Sequence, residues 1–135
     1  EVGKIFDDAV ESLDRTIELN PGHVIALVLR GFIQHRLGNE EEALRDYYAA
    51  RLTRLAPSFV HYFLSLFHAD RKEIDRAIEA IERVFEFPEI DDPGTRTDAV
   101  EGLRRDILSM PEFRQVRNSD RFVRFLEKRY PETDR

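Results

Sequence analysis

Apolar positions return every three to four residues along most of the chain, and this spacing predicts helices rather than strands. The pattern marks helices over Lys4–Leu19, Val24–Leu37, Glu40–Leu55, Ser58–Asp70, Glu73–Phe87, Thr97–Leu108 and, after one short helical turn, Asp120–Lys128. Breaker residues separate them. Asn20-Pro21-Gly22 interrupts the pattern first, Gly38-Asn39 closes the next helix, and Pro57 stops the one after it. Asp70-Arg71-Lys72 gives a polar turn, and Pro88 with Asp91-Asp92-Pro93-Gly94 a longer loop. Proline restricts the residue before it and glycine admits a left-handed backbone, so these are the places where helices end.

The helical pattern repeats itself. Ala9, Ala43 and Ala77 lie 34 residues apart, and their neighbours keep step: Asp7/Glu41/Asp75 are acidic, Val10/Leu44/Ile78 aliphatic, Leu13/Tyr47/Ile81 large and apolar. In the preceding helices Gly31 and Ser65 hold the matching small positions. A period of this length belongs to stacked helical hairpins. Two antiparallel helices whose axes approach to about 8–10 Å leave no room for a large side chain where they cross. Gly31 against Ala43 is the predicted crossing.

The run Leu27-x-x-x-Gly31, then Leu37-Gly38-Asn39, then Ala43-x-x-x-Tyr47-x-x-Ala50, with Pro21 and Pro57 closing repeats, resembles the tetratricopeptide repeat (TPR) family. The resemblance implies an all-α fold, a right-handed α-α superhelix of TPR-like helical hairpins. A single domain over residues 1–135 is expected: a half repeat at 1–21, repeats at 22–57 and 58–90, and a degenerate C-terminal helical cap at 91–135. Phe6-Asp7-Asp8-Ala9-Val10 matches the start of a hairpin's second helix, whose own first helix lies outside the segment. In the second full hairpin His61 stands where the family prefers a large apolar residue, and Lys72 replaces a turn glycine.

The period fails after Ala77, since 34 residues further lies Pro111. Ser109-Met110-Pro111-Glu112 there has the form of a capping box, and Asn118-Ser119-Asp120 offers caps for the last helix. The stretch from Pro111 to Leu126 resembles the closing segment of tetratricopeptide arrays. Phe113, Val116, Phe122, Phe125 and Leu126 are then the apolar side of a lid, which the last repeat of a solenoid requires.

The first helices of the two full hairpins carry more apolar residues than one packing stripe needs. Val24, Leu27 and Gly31 suffice in one and Val60, Leu64 and Phe67 in the other. Ile25, Val28, Leu29, Phe32 and Ile33, and then Phe59, Tyr62, Phe63 and Leu66, are surplus. A helix apolar nearly all round is covered on several sides. The family resemblance implies a ligand-facing set of Ile25, Val28, Phe32, His35, Arg36, Phe59, Tyr62, Leu66 and Asp70. Two readings stay open for it. One is a mainly apolar concave groove for a partner peptide or helix, with His35, Arg36 and Asp70 at the rim. The other is burial against neighbouring repeats or a second copy of the chain. Phe6, Val10 and Leu13, lacking their hairpin mate, point to self-association through the N-terminal end, as a homo-oligomerisation or regulatory module of a larger enzyme or signalling protein.

Composition narrows the classes. A net charge of -6 argues against nucleic acid, whose phosphates call for clustered Lys and Arg. The charge is uneven, with a surplus of eight negative charges up to residue 94 and two positive ones after it. The basic end can face an acidic partner or dock on the acidic array. No apolar run reaches membrane-spanning length, and the absence of cysteine suits a reducing, cytoplasmic setting. The sequence does not open on methionine, Met110 being the sole one, so it reads as a trimmed segment or as a piece of something longer. No nucleophile motif, phosphate loop or dinucleotide fingerprint occurs, and no cofactor is expected. His61 and His68 are seven residues apart, wider than the usual helical ligand pair, and no metal site is assigned. Relatives that grip a terminal carboxylate use Lys, Arg and Asn on these helices. Here Val28, Leu29, Phe32, Phe59 and Phe63 stand instead, so the expected role is a non-catalytic protein-interaction scaffold.

Overall fold

The computed structural model describes residues 2–53, 58–86, 101–102 and 105–129. Every regular element among them is helical. In chain order these are α1 (Val2–Leu19), α2 (Val24–Arg36), α3 (Glu40–Arg51), α4 (Ser58–Asp70), α5 (Ile74–Glu86), α6 (residues 105–109), a 3-10 turn at Pro111–Phe113, α7 (Arg114–Arg117) and α8 (Asp120–Arg129). The all-α hairpin pattern expected from the 34-residue period is the observed one. The expected stop at Pro57, the loop at 88–94 and the helix start at Thr97 lie outside the described residues. The chain divides into two compact units, Glu1–Phe63 and Leu64–Arg135.

In the first unit, α2 packs on both α1 and α3. The close point is Gly31. A Cβ there would lie 2.9 Å from Tyr47 Cε1, 3.0 Å from Tyr47 Cδ1 and 3.3 Å from the Ala43 carbonyl oxygen. Ala43, Tyr47 and Ala50 are sealed from solvent. The crossing predicted between Gly31 and Ala43 is thus present, with the Tyr47 ring as its tightest neighbour.

Charged groups reinforce this packing. Arg30 of α2 donates from Nε and Nη2 to the two carboxylate oxygens of Asp46 on α3, and from Nη1 to Asp14 Oδ1 on α1 at 2.8 Å. The carboxylate of Asp46 foremost, with Asp14, holds the guanidinium firmly protonated.

Helix ends follow local chemistry. Asn20 makes an Asx turn to the Gly22 amide, and His23 Nδ1 accepts from Ala26 N at 3.1 Å, so His23 is the N-cap of α2. The α2–α3 turn has Asn39 N donating to Gln34 O and Gly38 N to His35 O, with Gly38 at φ 85°. This is the six-to-one, five-to-two bonding of a Schellman close, which requires a left-handed residue. The α4–α5 turn repeats it: Glu73 N donates to His68 O, Lys72 N to Ala69 O, and Lys72 stands at φ 63°. Lys72 therefore adopts the backbone of the turn glycine it replaces. Helix α3 stops at Arg51 rather than Leu55, because Thr53 turns both its amide and its hydroxyl onto the Ala50 carbonyl.

In the second unit Leu64, Phe67, Ala77, Ile78, Ile81 and Val84 are buried, as are Phe113, Val116 and Phe122. Helix α7 packs on α5. Arg117 Nη1 donates to the Ile107 and Met110 carbonyls, and Arg121 reaches α5 at Asp75 Oδ1 (3.5 Å) and Glu82 Oε1 (3.3 Å). The basic end thus docks on acidic residues of this chain. Phe125 and Leu126, expected beside Phe113, Val116 and Phe122, are half-buried.

The capping box at Ser109 needs correction. Its hydroxyl bonds backwards to the Arg105 carbonyl at 2.7 Å as the last residue of α6, and Met110 flanks the 3-10 turn without a side-chain cap. Serine in a helix's last turn reaches its own i−4 carbonyl as readily as a following amide. Ser119, by contrast, caps α8 as expected, its hydroxyl accepting from Phe122 N at 3.2 Å.

Candidate partner-binding face

Helix α2 is wrapped on most sides. Ala26, Leu27, Val28, Gly31 and His35 are buried, and its exposed residues are Ile25, Leu29 and Arg36. Ile25 exposes 57% of its surface and Leu29 45%. With half-buried Phe32 they fall at i, i+4, i+7 and i+11, one stripe of a helix. The Phe32 ring ties the stripe to α4. It meets Phe63 edge-on at 5.3 Å between centroids, Phe63 meets Tyr62 at 5.2 Å, and the Arg36 guanidinium lies 5.2 Å from the Phe32 centroid.

In the first unit, then, Ile25, Phe32, Arg36, Phe59 and Tyr62 keep some or much of their surface in solvent, whereas Val28 and His35 keep almost none. In the second unit Leu66 is buried and Asp70 exposed. Val28, His35 and Leu66 offer a partner no side-chain surface, because each is covered by the chain itself. Leu29 takes a place on the exposed stripe instead. Phe6, Val10 and Leu13 on α1 are half-buried, and Ile5 beside them is 64% exposed.

Titratable groups gather at the α4–α5 turn. His68 Nδ1 lies 3.1 Å from Glu73 Oε1, which also accepts from Arg71 Nε at 3.0 Å. Burial lowers the His68 pKa, and the hydrogen bond from His68 lowers that of Glu73. Both shifts suit a neutral imidazole donating to an ionised carboxylate. Among the described residues no three or more His, Cys, Asp or Glu side chains gather as a metal would require. Nor is any described helix long and apolar enough to cross a membrane.

The family model described as Tetratricopeptide repeat matches residues 1–58, which take in α1, α2 and α3. Over residues 1–58 the chain is similar to the tetratricopeptide repeat family. Tetratricopeptide repeats mediate protein–protein interaction, and α2 is the first helix of the matched hairpin. The match ends where α4 begins, yet α4 and α5 repeat the tetratricopeptide turn at Lys72 and bury Ser65 and Ala77 where Gly31 and Ala43 stand one period earlier. Neither the curated proteins nor the solved structures give a match.

Proposed function

We propose that this chain is a non-catalytic interaction scaffold of the cytoplasm, and that the α2 face binds a segment of a protein partner. One observation carries this reading: on a helix otherwise covered by its neighbours, the residues left exposed are two large aliphatics and an arginine. Solitary exposed aliphatics are ordinary on any surface. A row of them beside an aromatic cluster offers apolar area, and burying it stabilises a complex by about 25 cal/mol per Å² before the costs of association. Phe59 and Tyr62 extend the face, and Arg36 stands at its end.

The test is selection of binders from a displayed library of helical and extended peptides on the wild-type chain. Ile25→Glu with Leu29→Glu removes binding while helical circular dichroism is kept, since both side chains point to solvent. Selected binders indifferent to this change, or no binders, would overturn the proposal.

The α1 surface favours a second reading, self-association. Its stripe of Phe6, Val10 and Leu13 stays half-buried and Ile5 is exposed. Light scattering separates the two: Ile5→Asp disperses a self-associated species and leaves peptide capture intact.

A further inference from the structure

Resting on the α2 reading above, we infer that the segment bound there is an amphipathic helix lying antiparallel to α2, with carboxylates in its first turn set against Arg36. The backbone makes the first distinction. Helix α2 is closed at both ends, by His23 Nδ1 at its start and by the Gly38 and Asn39 amides at its finish. Among the described residues no strand edge is offered to an extended peptide, whose backbone groups would have to find side chains or water instead. A helix brings those bonds with it and presents only side chains.

Length and shape agree. From Ile25 to Arg36 the stripe runs about 16 Å, or about three helical turns. Its i, i+4, i+7, i+11 spacing forms the ridge that another helix receives between its own side-chain rows.

Charge then fixes composition and direction. In a chain of net charge -6, α2 has no acidic residue and α4 has Asp70 alone, while Asp7, Glu11, Glu41, Asp46, Asp75 and Glu79 lie on α1, α3 and α5. The exposed charge of α2 is Arg36, kept in place over the Phe32 ring; among the described residues it forms no ion pair. It lies in the last turn of α2. An antiparallel occupant sets its first turn there, where carboxylates are already favoured by the helix dipole and gain a cation held in position.

The probe is a fluorescein-labelled peptide of about four turns, with glutamates in its first turn and leucines at helical spacing, read by anisotropy at low salt. Arg36→Glu weakens it by about tenfold, and a peptide with lysines in place of the glutamates regains the loss on that variant. A peptide with its glutamates moved to the last turn binds several-fold more weakly. Binding indifferent to Arg36→Glu, or equal for both placements, overturns the inference. If library binders remain sensitive to Ile25→Glu with Leu29→Glu in that event, the interaction face stands and its occupant has a different chemistry. Failure of the probe to bind the wild-type chain also overturns the inference, and the library selection then reads the face by itself.

Discussion

Arg30 and Asp46 face each other through two parallel hydrogen bonds, Nε to Oδ2 at 2.8 Å and Nη2 to Oδ1 at 2.7 Å, with the Asp46 carboxylate almost wholly buried. One period on, the same positions hold Leu64 and Ala80, both buried. The repeat therefore accepts either a charged pair or an apolar pair, and a half-pair is the costly case. Asp46→Ala leaves a guanidinium without its main partner and lowers stability by about 2 kcal/mol. Arg30→Leu combined with Asp46→Ala recovers most of that, because no buried charge is left uncompensated. Urea midpoints of the single and double variants check this; a double variant no better than Asp46→Ala would contradict it.

At the α2–α3 crossing, Gly31→Ala has opposed effects. Alanine is better than glycine in a helix by about 1 kcal/mol. Its methyl, however, enters the space held by a sealed Tyr47 ring, and such overpacking costs about 1–3 kcal/mol. The expected outcome is a net loss, larger for Ala43→Leu, seen as lower thermal midpoints for both.

Lys72→Gly raises stability by about 1 kcal/mol, since a left-handed backbone strains any side chain bearing a Cβ. Gly38→Ala has the opposite sign, although no atom crowds its Cβ position. Thermal unfolding of the pair gives shifts in opposite directions.

Acid weakens the second hairpin in two steps. His68 has a lowered pKa, so its contribution is full above the unfolded value near 6.5 and is lost as pH falls from there toward the folded value. Glu73, also lowered, contributes above the unfolded value near 4.5 and is lost as pH falls through its folded value. Glu73→Gln flattens the lower limb of a stability profile, and His68→Gln the upper one. Profiles parallel to that of the wild type would contradict both assignments.

The fold was legible because small residues at a fixed period need a helix crossing, and Gly31 with Ser65, and Ala43 with Ala77, have no other reason to recur. The docking face was only partly legible. Periodicity separates the stripe around Leu27 from the rest of α2, but it does not say which remaining side a neighbouring helix covers. Val28 and His35 turned inward while Leu29 stayed out. The Arg30 network was missed although its members stand sixteen residues apart in each direction. Charge patterns along one helix carry no register against the next. Lys72 was readable as a stand-in for glycine because the period fixed its place before its chemistry was considered.

The hold of Arg121 on Asp75 and Glu82 bears on how the protein can be shortened. With α7 seated on α5 and Phe113 and Val116 sealed nearby, the tail belongs to the same solubility-keeping unit as the repeat it follows. Expression of a version cut after α5 should give inclusion bodies, whereas one carried through α8 should stay in the soluble fraction.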